Sequence, residues 1–167
     1  MRIRDVTDAD LSAIRDIYNH YVRSSVVTFD EEESTVESWT AKRVLLAARG
    51  LPFLVAEEDD RVLGYALAQP WSAKSAYRYT VENSIYLAPD AAGRGLGRRL
   101  LADFLDACRA AGLRQVIAVI ADEGAEASIA LHRKAGFADA GALRGVGVKF
   151  GRDLGVVFLQ LSLDAPG

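Results

Sequence analysis

Cysteine, methionine, histidine and proline are scarce in this chain: one, one, two and four among 167 residues. The lone Cys108 allows no internal disulfide, and its place in a helical pattern suits a small buried residue. His20 and His132 have no metal-ligand neighbour at useful spacing, so no metal site is expected. No apolar run approaches the ~20 residues of a membrane span. The amino-terminal MRIRDVTDADLSAI carries charge where a signal peptide needs an apolar core, so a cytoplasmic protein with no membrane partner is expected. Neither sign of charge dominates: 20 Lys and Arg against 23 Asp and Glu leave a net charge of -3. The basic excess of a phosphate-backbone reader is therefore missing, and no nucleic-acid partner is expected. There is no low-complexity tract, and the length suits a single domain spanning residues 1–167.

What is present reads as alternating helices and strands. Thr7 and Asp10 have capping-box spacing ahead of the apolar series Leu11, Ile14, Ile17, Tyr18, Tyr21 and Val22, which predicts a helix. A second helical pattern runs from about Val36 to Ala48, and PFLVAEEDDRVLGYALAQP reads as a β-hairpin with an acidic turn. In YTVENSIYL, from Tyr79 to Leu87, strand alternation sends Val81, Asn83, Ile85 and Leu87 one way and Thr80, Glu82, Ser84 and Tyr86 the other. A helix bearing Leu100, Leu101, Phe104, Leu105 and Cys108 on one face follows, then the apolar strand Gln115–Ala121 and a helix from about Ala125 to Ala135. Two more strands are expected between Phe137 and Leu163. The order describes an α/β (α+β) domain built on a central sheet.

Between the Tyr79 strand and the next helix lies APDAAGRGLGRRLL, with Gly93, Gly95 and Gly97 leading into a basic first turn. Strand, glycine loop and helix start present free N–H groups and a positive dipole end to an anion, naturally a phosphate. Glycine permits φ > 0 and close backbone approach, while Arg94, Arg98 and Arg99 supply charge. Two nucleotide fingerprints are absent: Gly97 is followed by Arg98 and Arg99 rather than Lys and Ser or Thr, and Arg98 stands where a third dinucleotide-loop glycine would be.

This loop resembles that of the GNAT superfamily of acetyl-CoA-dependent N-acetyltransferases, Q/R-x-x-G-x-G/A. Gly95, Leu96 and Gly97 fit its end, although Ala92 falls where Arg or Gln is usual. Over nearly the whole length the chain is similar to the phosphinothricin and methionine sulfoximine acetyltransferases, on IYNHYV, PFLVAE, GYALAQPW, AYRYTVENSIYL, VIAVI, SIALHRKAGF, VKFGR and FLQLSL. The resemblance implies a GNAT fold, with a central mixed, mostly antiparallel sheet flanked by helices, and a homodimer. It implies acetyl-CoA as co-substrate, no metal, and a small-molecule amine as acceptor.

It also implies roles. Glu82 resembles the family's general base, needed because an α-ammonium of pKa about 8 must lose a proton before it attacks. His132 stands where many members place a thiolate-protonating Tyr, and is the candidate acid. The backbone of Ile85, Tyr86 and Leu87 would pair with the pantetheine arm, Gly93, Arg94, Gly95, Leu96, Gly97 and Arg98 would hold the pyrophosphate, and Ser128 would add a cofactor contact where Ala125 replaces a usual Asn. Arg78 matches a substrate-side Arg, Lys74 is a second candidate cation, and Trp71, Tyr77 and Phe29 would wall the acceptor side chain. Phe150 stands where the phosphinothricin type has His, which favours a methionine derivative, and Asp153 and Gly155 replace the Trp and Asp of a W-x-D segment. Two alternatives stay open: another amine, such as a polyamine, aminoglycoside or protein N-terminus, and a non-catalytic acyl-CoA sensor.

Overall fold

The computed structural model describes residues 1–163. Seven strands form one sheet in the order β1-β2-β3-β4-β5-β7-β6, with β1 Arg2–Asp5, β2 Phe53–Glu58, β3 Arg61–Pro70, β4 Thr80–Leu87, β5 Gln115–Ala121, β6 Ala138–Lys149 and β7 Arg152–Ser162. Every neighbouring pair is antiparallel except β4 and β5. The helices are α1 Leu11–Ser24, α2 Val36–Ala48, α3 Leu96–Ala110 and α4 Glu126–Lys134.

Local chemistry accounts for most of these boundaries. The acidic turn of the β2–β3 hairpin places Asp59 and Asp60 at φ 51° and 61°, the pair of left-handed residues that a two-residue hairpin turn demands. Thr7 and Asp10 do form a capping box, but on a short 3₁₀ turn, Asp8–Asp10, so the α-helix itself starts at Leu11. Residues Leu100, Leu101, Phe104, Leu105 and Cys108 of α3 are buried against the sheet. Strand β1 has no counterpart in the sequence reading. Its four residues include three charges, and it is held at the sheet edge by Arg4, whose guanidinium grips Asp10 through two bonds of 2.8 and 2.9 Å and reaches Glu57 at 2.5 Å.

The feature that positions the site is a failure of pairing. Strands β4 and β5 are in register only at Thr80–Gln115, Val81–Val116 and Glu82–Ile117. Beyond Glu82 they part, each retaining its outer partner, β3 for one and β7 for the other. The result is a gap in the middle of the sheet.

Candidate active site

The gap opens into a cleft lined on one side by Glu82–Leu87 and on the other by Ala118–Ala121. Because the Ala88 N–H bonds the Leu63 carbonyl on β3, strand alternation turns the N–H and C=O of Asn83, Ile85 and Leu87 toward the open edge. The Leu87 carbonyl already accepts from the Tyr21 hydroxyl at 2.5 Å, so the backbone of Ile85 and the Leu87 N–H are the groups that can receive an extended chain as an added strand would. The same alternation turns the Tyr86 backbone away toward β3, which corrects the expectation that it pairs with pantetheine. Its phenol instead lines the cleft, packed against Tyr18, Tyr21 and Tyr65.

The side chains of β4 divide the cleft into two lobes on opposite faces of the sheet. Glu82 faces α1 and α2. Gln69 Nε2 donates to Glu82 Oε2 at 3.1 Å, and burial raises the carboxyl pKa above its ordinary value, opposed by the Gln69 bond and by the Lys42 ammonium. Phe29, Asp30, Trp39, Lys42 and Tyr18 line this lobe with it. The Phe29 loop is pinned from β6. Buried Lys149 donates to the backbone carbonyls of Ser25 at 2.6 Å and Thr28 at 2.8 Å, and the Phe29 ring lies against Gly147 where a Cβ would come within 2.7 Å.

The opposite face holds the glycine loop, α3 and α4. Gly93 and Gly95 take φ 79° and 76°, and Gly95 caps α3 in the left-handed region, so a residue with Cβ would be strained there. A Cβ at Gly97 would stand 3.5 Å from both Leu87 and Leu131, an ordinary van der Waals contact, so packing does not by itself demand glycine there. Gly93, Gly95, Gly97, Arg98 and Ser128 all line the cleft. The open strand edge, the glycine loop and the basic first turn of α3 together fit the pantetheine and pyrophosphate of acetyl-CoA. Leu96 is buried in the core beneath the loop. Arg94 points elsewhere, its guanidinium 2.8 Å from Glu58 on β2, so the cation of this loop and first turn that lines the cleft is Arg98.

His132, 2% exposed, sits at the seam. Its Nδ1 lies 2.7 Å from the Ser128 carbonyl and its Nε2 3.0 Å from Asn83 Nδ2. A carbonyl only accepts, so Nδ1 carries the proton and Nε2 accepts from the amide. Burial lowers the imidazole pKa. With its one proton committed to Ser128, the ring has none to give a thiolate. This revises the sequence-based assignment of His132 as an acid to that of a positioning residue. Cys108 is equally unsuited to carry an acyl group: it is buried in the core, and burial pushes its thiol up to about 12.

Several expected substrate residues stand outside the cleft. Trp71 meets Phe158 edge to face, and Tyr77 is exposed. The Arg78 guanidinium lies over the Tyr79 ring at 4.6 Å and donates to the Ser75 carbonyl at 3.2 Å. Lys74, just ahead of the 3₁₀ turn Ser75–Tyr77, is exposed. Phe150 forms the β6–β7 turn at φ 53°, exposed and away from the lining. Gly155 has a local cause: a Cβ there would come within 2.4 Å of Asp122 Oδ2, and the Asp122 carboxylate accepts the Gly155 N–H at 3.1 Å. Lys42, Asp30, Gln69 and Asn83 are among the lining residues that the sequence alone leaves without a role.

Comparison with known proteins agrees with this geometry. The family model described as acetyltransferase (GNAT) family matches residues 14–137. A phosphinothricin N-acetyltransferase of Alcaligenes faecalis is 44% identical over 98% of this chain and 83% of its own. An L-methionine sulfoximine/L-methionine sulfone acetyltransferase of Salmonella typhimurium is 41% identical over 98% and 95% of the two chains. The structure of a putative acetyltransferase from Salmonella typhimurium, solved with its cofactor acetyl-CoA, superposes with a TM-score of 0.93 at 39% identity, covering 98% of this chain and 94% of that one. With the split sheet, the glycine loop and the half-buried carboxyl all in place, the chain belongs to the acetyltransferase (GNAT) family.

Proposed function

We propose that this protein transfers the acetyl group of acetyl-CoA directly to the α-amine of a small amino acid analogue of the methionine sulfoximine, methionine sulfone or phosphinothricin type. The observation that carries the reading is Glu82: a carboxyl whose pKa burial has raised, beside the open edge of β4 and in the lobe opposite the glycine loop. A base with a raised pKa accepts the ammonium proton with less mismatch than an ordinary carboxylate.

Acetyl-CoA supplies the activated thioester. Ile85 and Leu87 hold its arm by their backbones, Gly93, Gly95, Gly97 and Arg98 take the phosphates, and Glu82 removes the proton from the amine, directly or through a water. An N–H of the open β4 edge supports the charge that develops on the thioester oxygen. Collapse of the tetrahedral adduct breaks the C–S bond, and CoA leaves as a thiolate that takes up the second proton of the attacking nitrogen. Asn83 and His132 shape the wall near the sulfur without exchanging a proton.

The reading includes a cytoplasmic homodimer with a detoxifying role. Strand β6 supports the dimer, since this edge strand exposes Leu143, Val146 and Val148, with Phe150 beside them. The experiment is CoA-thiol release against methionine sulfone, methionine sulfoximine, phosphinothricin, common amino acids and polyamines. Turnover on an amino acid analogue supports the proposal. Tight acetyl-CoA binding with silence across the panel overturns it in favour of a protein N-terminus or another amine as acceptor, or of an acyl-CoA sensor.

A further inference from the structure

Four Lys or Arg side chains line the cleft: Lys42, Arg98, Arg109 and Lys134. The last three belong to α3 and α4, on the glycine-loop face. In the lobe that holds Glu82, Lys42 is the one Lys or Arg among the described residues.

Its surroundings keep it available. Lys42 follows Trp39 by three residues on α2, and its ammonium lies 5.0 Å from the Trp39 ring centroid, held over an aromatic floor. No ion pair among the described residues engages it. The two carboxyls that bear on it have other partners: Asp30 accepts from the Tyr18 hydroxyl, and Glu82 from Gln69. Burial lowers the ammonium pKa, and Asp30 and Glu82 act against that change. A half-buried cation outside any direct ion pair, beside carboxyls that can receive an ammonium, matches a zwitterion in charge order.

We propose that Lys42 is the seat for the acceptor's carboxylate, so that the site selects α-amino acids over amines without an acid group. The inference rests on the acetyltransferase reading and refines its acceptor. Amine attack leaves the carboxylate unchanged, and Lys42 gives up no proton: the ammonium acts by charge, holding the α-amine toward Glu82. A polyamine would set its second cation against Lys42, which disfavours that class.

The test pairs L-methionine sulfone with its decarboxylated counterpart, 3-(methylsulfonyl)propylamine, on wild type, Lys42→Met, Lys42→Arg and Arg78→Ala. Two readouts are taken: kcat/KM for each acceptor, and calorimetric binding of each to the CoA-loaded protein. In wild type the acid is preferred. In Lys42→Met the ratio of kcat/KM for acid over amine falls about tenfold or more, Lys42→Arg restores part of it, and Arg78→Ala leaves it in place. An unchanged ratio in Lys42→Met, or a loss confined to Arg78→Ala, overturns the Lys42 assignment while acetyl transfer stands. Lys42-dependent binding of the acid without transfer overturns the acetyltransferase reading and keeps the seat. Neither binding nor transfer overturns both. Should Lys42→Met not fold, Lys42→Gln serves, since it keeps a polar end and drops the charge.

Discussion

The Nδ2 of Asn83 lies 3.0 Å from the Nε2 of His132, joining β4 to α4 across the seam of the cleft. The Ser128 carbonyl fixes the other ring nitrogen as the donor, so folding selects a neutral imidazole. Removing the amide in Asn83→Leu leaves a buried lone pair unpartnered, with an expected loss of ~1–3 kcal/mol in a urea titration.

The same pair sets a pH dependence. Burial lowers the His132 pKa from its ordinary 6.5, so the unfolded chain binds the extra proton first. Stability from this group is complete above about pH 6.5 and declines as pH falls toward the lowered folded value. The stability difference between wild type and His132→Gln is therefore expected to shrink between pH 7 and pH 5, as read by denaturant unfolding at each pH.

Glu82 runs in the opposite sense. Its folded pKa is raised above the ordinary 4.5, so its contribution is present below that value and lost as pH rises through the raised one. Glu82→Gln is expected to lower kcat about 10²–10⁴-fold. It should also melt higher than wild type at pH 7, with the gain fading by pH 4. A variant that loses rate and gains no stability at pH 7 contradicts the burial argument.

The two loop arginines separate by their partners. Arg98 lines the cleft, whereas Arg94 is committed to Glu58. Calorimetry with acetyl-CoA is expected to show Arg98→Ala weakened about tenfold and Arg94→Ala close to wild type. Equal losses would place both side chains on the phosphates.

Lys149→Met tests the pin on the Phe29 loop. Two carbonyls lose a charged donor, at a cost of ~2–3 kcal/mol of stability. Phe29 and Asp30 of the loop line the Glu82 lobe, so KM for the acceptor should rise more than the Kd for acetyl-CoA.

Much of this site is legible in the order of the amino acids. The glycine loop, the alternation of β4 and the acidic hairpin turn each follow from short-range rules, and the fold places Glu82 and Asn83 on the opposite faces that alternation assigns them. The remainder depends on distant partners. Strand β1 is illegible because its stability comes from Arg4 meeting Asp10 and Glu57 rather than from apolar alternation. Lys42 looks like any helical lysine, since only the fold turns its stem over Trp39 and into the cleft. The charges of residues 74–78 invite a binding role, yet Tyr79 occupies Arg78. His132 is visible as a residue and invisible as a tautomer, because the Ser128 carbonyl and the Asn83 amide decide where its proton sits.

The parting of β4 from β5 beyond Glu82 makes the site a passage rather than a pit. On the proposed reading, acceptor and acyl donor would enter from opposite faces of the sheet and meet at the gap, so neither would have to leave before the other arrives. A ligand lodged among Trp39, Lys42 and Phe29 would leave the glycine-loop doorway open, and inhibitors of the two entrances should bind together. Joining two such compounds into one would require a tether slim enough to thread between separated strands, in the extended form that the exposed edge of Ile85 and Leu87 can grip.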